Sequence, residues 1–263
     1  MPMTPSPGCG STTATASRPW AITTAPEAAF GRALALDPAL LPAQFNLANL
    51  LRDRDRPGEA EEGYRRVLAL DPGFVRAHTN LGNLLRSRGR AAEAAAVHRQ
   101  AAALAPGEAA VHVNLGNALR DAGELPQAIA CYRQALRLDP RSVRAAAPLA
   151  RLLYDRGDEA ERPELLALYR RLTVLEPANP EHHNALGVVL REAGETARAL
   201  SAFRRALAIE PDHAAALNNL GTLLRMLRRP QEGLPLLRRA VVCTRSPASP
   251  RSTWPTSCTI WDR

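Results

Sequence analysis

A proline that follows Asp, Glu or Ala recurs along the chain at a nearly fixed spacing. The prolines are 34 residues apart except for one interval of 37, and they are Pro38, Pro72, Pro106, Pro140, Pro177 and Pro211. A constant period of this length is the signature of a repeat protein, in which stacked units share one continuous core. The spacing therefore predicts an array of similar units.

Each unit has the hydrophobic pattern of two helices. In one unit, Leu81, Leu84 and Leu85 lie on one helical stripe, and Gly89 ends that helix. A second stripe follows, and the proline then closes the unit. Aromatic residues make up only 4% of the chain, and Ala, Leu and Arg dominate. We therefore expect an all-α fold.

Small and aromatic residues occupy fixed places in the units. A Leu-Gly pair lies in the first helix at Leu81-Gly82, Leu115-Gly116, Leu186-Gly187 and Leu220-Gly221. The turn glycines are Gly89, Gly123, Gly157 and Gly194, and the second helix carries Tyr64, Tyr132, Tyr169 and Phe203, with His98 replacing the aromatic residue in one unit. This pattern resembles the tetratricopeptide repeat (TPR) family. The resemblance implies a right-handed α-α superhelix, a TPR solenoid, of about six helix-turn-helix repeats.

The period also predicts domain boundaries. We expect tails at 1–24 and 244–263 and an array over 25–243, which consists of a half repeat at 25–38 and repeats at about 41–72, 75–106, 109–140, 143–177, 180–211 and 214–243. The tails are rich in Pro, Ser and Thr, which predicts disorder. Three additional residues of the fourth repeat are expected in its inter-helix turn, with Pro163 opening the second helix.

The C-terminal tail is also compatible with a change of reading frame near Val242. In the frame that starts on the third codon base, Trp254-Pro255 and Trp261-Asp262 encode Ala and Gly, at positions one period after Gly221 and Arg228. The hypothesis is that a longer repeat protein was truncated, and the alternative is coincidence in an arginine-rich chain.

Two rows of asparagine are expected to line the concave groove. The residue before the Leu-Gly pair gives Asn46, Asn80, Asn114 and Asn219, and the residue after it gives Asn49, Asn83 and Asn117. An asparagine amide both donates and accepts, so such a row can pair with the backbone of an extended peptide. The alternative is that asparagine supports contacts between the repeats themselves.

A row of arginine follows the second asparagine row by i, i+3 spacing. It consists of Arg52, Arg86, Arg120, Arg191 and Arg225. Guanidinium groups favour a carboxylate or phosphate on a ligand. We therefore expect a protein or peptide partner with acidic character, although exposed arginine can also be a solvated face.

The asparagine row is similar to the groove of the O-linked N-acetylglucosamine transferase family. That resemblance implies an alternative function, the substrate-recruiting N-terminal region of a glycosyltransferase. It covers only the repeats, because no sugar-nucleotide domain is present. The main prediction is a protein-interaction scaffold that binds an extended segment in its groove. The two hypotheses differ in what would follow codon 242.

Several kinds of chemistry are not expected. The chain has no lysine, its four cysteines form no C-x-x-C pair, and its six histidines, interpreted as surface residues, show no metal-ligand spacing. We predict no enzyme activity, no cofactor and no metal. The net charge of +8 is spread over recurring Arg pairs with acids nearby, so nucleic acid is an unfavoured partner. No membrane or signal segment is evident, which favours the cytoplasm. The oligomeric state stays open.

Overall fold

A computed structural model describes residues 25–245 as a succession of helices without a strand. The α-helices are α1 Ala25–Leu36, α2 Leu41–Asp53, α3 Pro57–Leu70, α4 Val75–Ser87, α5 Ala91–Leu104, α6 Ala109–Asp121, α7 Leu125–Leu138, α8 Val143–Arg156, α9 Arg162–Leu175, α10 Pro180–Glu192, α11 Thr196–Ile209, α12 Ala214–Met226 and α13 Pro230–Arg245. The predicted all-α repeat fold is confirmed.

The described residues divide into two compact units, with the boundary between Ala77 and His78. In the first unit, α2 packs against α1 and α3. The ring of Phe45 lies 5.1 Å from that of Phe74 and 6.1 Å from that of Tyr64. These aromatic side chains form much of the small core of this unit.

In the second unit, each helix from α5 to α13 packs against its neighbours along the chain. Their apolar stripes meet in a core that includes Leu190, Phe203 and Leu220, each at most 4% exposed. Burial of one such side chain stabilises the fold by roughly 1.5 to 3 kcal/mol. Helix pairing is therefore driven by the same apolar periodicity that marks each repeat in the sequence.

The first helix of each repeat ends in a left-handed turn. Four turn glycines have φ angles between 66° and 81°, namely Gly89, Gly123, Gly157 and Gly194. Glycine is favoured there because it has no Cβ to clash with the backbone. The same turn position holds Asp55, with φ 55°, and Arg228, with φ 60°. These two residues adopt a conformation that costs a side-chain-bearing residue about 1 kcal/mol.

The three additional residues of the fourth repeat lie where the sequence predicts them. A short 3₁₀ helix, Glu159–Glu161, fills the turn between α8 and α9, and Pro163 lies in the first turn of α9. The Asp158 side chain accepts a hydrogen bond from the backbone N–H of Ala160. Pro148 lies inside α8, and that helix continues on both sides of it. The insertion is thus absorbed without interrupting the helix pair.

The predicted tails lie outside the described range except for Thr244 and Arg245, which belong to α13. The residues on which the reading-frame hypothesis depends also lie outside that range. The glycosyltransferase alternative depends on that hypothesis and stays a prediction. None of the helices between residues 25 and 245 is long and apolar enough to cross a membrane.

Candidate functional site: the first-helix surface

Polar side chains connect successive first helices in the second unit. The first helices of this unit are α4 from His78 onward, α6, α8, α10 and α12. The second helices are α5, α7, α9, α11 and α13. Arg86 of α4 forms an ion pair of 3.2 Å with Asp121 of α6. Arg144 of α8 donates to Asn114 of α6 over 3.4 Å. The first helices therefore present neighbouring polar residues, which we call the first-helix surface.

Two members of the second asparagine row are hydrogen-bonded to tyrosine. The hydroxyl of Tyr64 donates to Oδ1 of Asn49 over 2.7 Å, and that of Tyr132 donates to Oδ1 of Asn117 over 2.8 Å. Both tyrosines are fully buried, so the hydroxyl needs a partner. These asparagines therefore help join the two helices of their own repeat. The amide N–H groups of Asn117 have no partner among the described residues and can still donate.

The third member, Asn83, has no such bond. The residue opposite it is His98, whose ring packs over Gly82 and is fully buried. Asn83 itself is exposed and makes no hydrogen bond among the described residues. Burial, with smaller effects from the charges of Arg86 and His78, lowers the pKa of His98 to about 4. A neutral imidazole therefore fills the place that a tyrosine fills in other repeats.

The interpretation of the histidines as surface residues is wrong for three of them. His78, His98 and His213 are at most 5% exposed. His213 caps α12 by accepting from the N–H of Ala216, and its Nε2 lies 3.2 Å from Glu181. Burial alone would lower the pKa of His213, but the hydrogen bond and charge of Glu181 raise it. His98 and His213 therefore have structural roles, against Gly82 and at the start of α12 respectively.

The first asparagine row is buried to very different degrees. Asn46 of the first unit is exposed, Asn80 is half-buried, and Asn114 is 9% exposed. Asn219, 5% exposed, donates to Oδ1 of Asn184 over 2.9 Å and so connects α12 to α10. This buried hydrogen bond gives polar groups at the interface between two repeats a partner. Asn219 is therefore left out of the binding surface proposed below.

The arginine row is partly neutralised by aspartates. In the first unit, Arg52 pairs with Asp53 at 2.8 Å. In the second unit, Arg120 lies 2.8 Å from Asp121, the residue that also binds Arg86. The remaining members, Arg191 and Arg225, have no carboxylate within 4.0 Å among residues 25–245. One aspartate thus holds two arginine side chains on adjacent first helices.

The chemistry of this surface is that of backbone recognition. On α4 and α6, Asn83 and Asn117 offer amide groups, and Arg86 and Arg120 follow each of them by one helical turn. Amides can pair with peptide N–H and C=O groups in any sequence, whereas guanidinium groups select carboxylates. Within residues 25–245, no group of three or more His, Cys, Asp or Glu residues could hold a metal ion.

Sequence reasoning missed the structural partners of the asparagines, although the chain contains a signal for them. Asn and Tyr occur together 15 residues apart in the first and third repeats. In the fifth repeat the same two positions hold Val188 and Phe203, which have neither acceptor nor hydroxyl. The paired exchange of polar for apolar residues indicates contact.

Comparison with known proteins agrees with this architecture. Family models described as "Tetratricopeptide repeat" match residues 45–109, 166–210, 184–250 and 109–142, which together exceed half of the chain. No curated protein matches the chain significantly.

Two solved structures illustrate the similarity of fold. One is described as "YrrB: a TPR protein with an unusual peptide-binding site", with 24% identity, coverage of 72% of this chain and 96% of that one, and a TM-score of 0.62. The other is MamA from Desulfovibrio magneticus RS-1, residues 41 to the end, with 16% identity, coverage of 66% and 97%, and a TM-score of 0.60. At these identities the likeness shows the fold alone.

Proposed function

Because this chain belongs to the tetratricopeptide repeat family, we propose that it is a protein-interaction scaffold whose first-helix surface binds an extended peptide segment. Family membership supports the general role, since TPR proteins generally act as non-catalytic scaffolds. The peptide-binding site that the described YrrB structure carries in its name is a precedent within the same fold. The partner and the residues that contact it are the new part of the proposal.

The observation that carries the proposal is the state of Asn83. An exposed asparagine in a helix interior lowers helix stability by roughly half a kcal/mol relative to alanine. Asn49 and Asn117 offset that cost with a tyrosine hydroxyl, but Asn83 has no partner among the described residues. Both its donor and its acceptor face solvent. This amide is therefore available for an extended backbone.

Neighbouring charges define the class of partner. Arg86 and Arg120 share the single carboxylate of Asp121, so one positive charge is left uncompensated on this part of the surface. A peptide with an acidic side chain near its central residues could displace one of these ion pairs. Such exposed pairs contribute at most about 1 kcal/mol, so the displacement costs little.

The test uses peptides selected on the purified chain. A displayed library of random linear peptides is enriched for binders, and the dissociation constants of the synthesised peptides are measured by fluorescence anisotropy. We expect Asn83→Ala to weaken binding by about fivefold to tenfold, the value of one or two hydrogen bonds. Its helical content should be unchanged because Asn83 makes no contact that the fold needs.

Gln100→Ala is the matched control, since it removes an exposed amide from the second helix α5 of the same repeat. It should leave the affinity unchanged. If Asn83→Ala leaves every selected peptide at its original affinity, the first-helix surface at this position is not the binding site.

A further inference from the structure

A separate concave site lies between successive second helices. The groove between α9 and α11, which we call the basic groove, has a volume of about 530 Å³. Its apolar floor is formed by Leu186 and Leu190 of α10 with Ala202 of α11. Its rim carries arginine, and the rim residues are Arg170, Arg198 and Arg205. An apolar floor with a charged rim is the usual composition of a specific binding site.

The rim of this groove has more positive than negative charge. Glu195 is the carboxylate that contacts Arg170, at 3.7 Å, and it also forms an ion pair with Arg198. Arg205 has no carboxylate within 4.0 Å among the described residues. His183, also in the lining, directs Nε2 to the backbone oxygen of Pro177 over 3.1 Å. Two of the three guanidinium groups therefore share one carboxylate, and the third contacts none among the described residues.

The groove between α7 and α9 differs in this respect. Its volume is about 300 Å³, and its central cation is Arg133. Arg133 pairs with Glu164 at 2.6 Å and with Glu161 at 2.7 Å. These hydrogen bonds raise the pKa of Arg133 above its ordinary value. The side chain of Arg137 at the rim donates to Gln134, and that of Arg171 donates to the backbone oxygen of Pro140. This groove therefore has two carboxylates, Glu161 and Glu164, for its three arginines.

A groove in the first unit, between α1, α2 and α3, is compensated as well. It has a volume of about 580 Å³. Arg56 binds both Glu27, at 2.7 Å, and Glu59, at 2.6 Å. Arg66 pairs with Glu62 at 3.3 Å. Of these three grooves, the one between α9 and α11 therefore has the largest excess of arginine over carboxylate.

We propose that the basic groove binds an acidic peptide segment of a partner protein, with an apolar side chain on the floor and carboxylates at Arg170, Arg198 and Arg205. Binding on this floor removes the apolar side chain of the peptide from water, and the arginine forks supply charge-assisted hydrogen bonds. Charge complementarity selects this occupant, because an acidic segment supplies what Glu195 alone does not.

This site goes beyond the function proposed above. It is built from α9, α10 and α11, whereas the residues of the first-helix surface that carry the proposed function lie on α4 and α6. One chain would accordingly bind two partner segments at separate places. Changes in one site should leave the other unaffected, so the two proposals can fail independently.

The experiment measures anisotropy of fluorescein-labelled peptides rich in Asp and Glu that contain a single leucine. Matched peptides carry Asn and Gln in place of the acids, or Ala in place of Leu. We expect the parent peptide to bind the full chain and Arg205→Glu to weaken it by about tenfold or more, because a charge-assisted contact becomes repulsive. Arg137→Glu, in the groove between α7 and α9, is the matched control and should bind normally.

Each outcome decides the proposal. The proposal is supported if binding is lost when the acids or the leucine of the peptide are replaced and when the protein carries Arg205→Glu. Arg137→Glu must leave the binding unchanged. Equal losses in both arginine variants mean non-specific attraction and overturn it, as does a leucine-independent affinity. Binding to phosphatidylglycerol vesicles without binding to the peptides would assign the groove to a membrane surface instead. A dissociation constant weaker than about 1 mM for every peptide also rejects it.

Discussion

Replacement of His98 by tyrosine should stabilise the protein and remove a pH dependence. His98 lies opposite Asn83 with the same 15-residue separation as the pairs Asn49–Tyr64 and Asn117–Tyr132. The ring of Tyr132 is accommodated by Gly116, and Gly82 provides the same space beside residue 98. The new hydroxyl should therefore donate to Asn83.

The expected gain at neutral pH follows from hydrogen bonding. Both ring nitrogens of His98 are buried without a partner among the described residues. An unsatisfied buried polar group costs about 1 to 3 kcal/mol, and a made hydrogen bond contributes about 1 kcal/mol. Tyrosine removes the first effect and adds the second. We expect His98→Tyr to raise the free energy of unfolding by about 2 kcal/mol.

The change in pH dependence has a definite sign. In the unfolded chain His98 binds a proton near pH 6.5, but in the folded protein its pKa is about 4. Between these values the unfolded state binds more protons, so stability falls as the pH falls from 6.5 towards 4. The full loss is about 3 kcal/mol. The tyrosine variant should lack this contribution.

Urea unfolding followed by far-UV circular dichroism at pH 7.5 and 4.5 measures both effects. Hydrogen exchange of the α4 and α5 amides would localise the change, since repeat arrays can unfold in parts. His98→Phe is the control, because phenylalanine lacks the hydroxyl. Asn83→Ala should therefore lower the free energy of unfolding more in the His98→Tyr protein than in the His98→Phe protein. Equal stabilities of His98→Tyr and the parent at pH 7.5, with the same fall at pH 4.5, would refute the reasoning.

Three further predictions concern other positions. Arg228→Gly relieves a left-handed backbone and should stabilise the fold by about 1 kcal/mol, which a shift of the urea midpoint would register. Asn219→Ala leaves Asn184 without its donor, and we expect a loss of about 1 to 3 kcal/mol in the same assay. Glu181→Gln removes the charge that raises the pKa of His213, so the midpoint of its imidazole NMR titration should fall. With Glu181 intact, the stabilisation from protonated His213 is present below pH 6.5 and is lost as the pH rises through the raised pKa.

The helices and their turns could be predicted because local and long-range signals agree. The 34-residue period predicts the helix pairs, and the turn glycines predict where four of the first helices end. The insertion before Pro163 lies in the turn between α8 and α9, as the gap between their apolar stripes predicts. Each of these features depends on residues close together in the chain.

The roles of the polar residues were harder to predict because they depend on partners in space. In the asparagine row after the Leu-Gly pair, Asn117 binds a tyrosine and Asn83 faces solvent. In the row before that pair, Asn219 is buried and binds Asn184. The same residue type thus serves different purposes. Only the side chain opposite each asparagine decides between them.

The arginines show the same difficulty. Arg pairs recur in the second helices, and their pattern indicates a solvated face. The structure distinguishes Arg133, held by two carboxylates, from Arg205, which has none among the described residues. The carboxylates that separate these cases are 28 and 31 residues from Arg133. Periodicity alone does not show such distant compensation.

The matched residues within each helix pair constrain how such a gene can grow. A crossover inside a repeat could join a first helix carrying Asn117 to a second helix carrying Phe203, and the asparagine amide would then lose its hydroxyl partner. It could also join a first helix carrying Val188 to a second helix carrying a tyrosine, whose buried hydroxyl would have no acceptor. A crossover between repeats keeps the pairs within each repeat intact. Duplication of whole hairpins is therefore the inexpensive evolutionary step, and recombination of half-hairpins should be selected against.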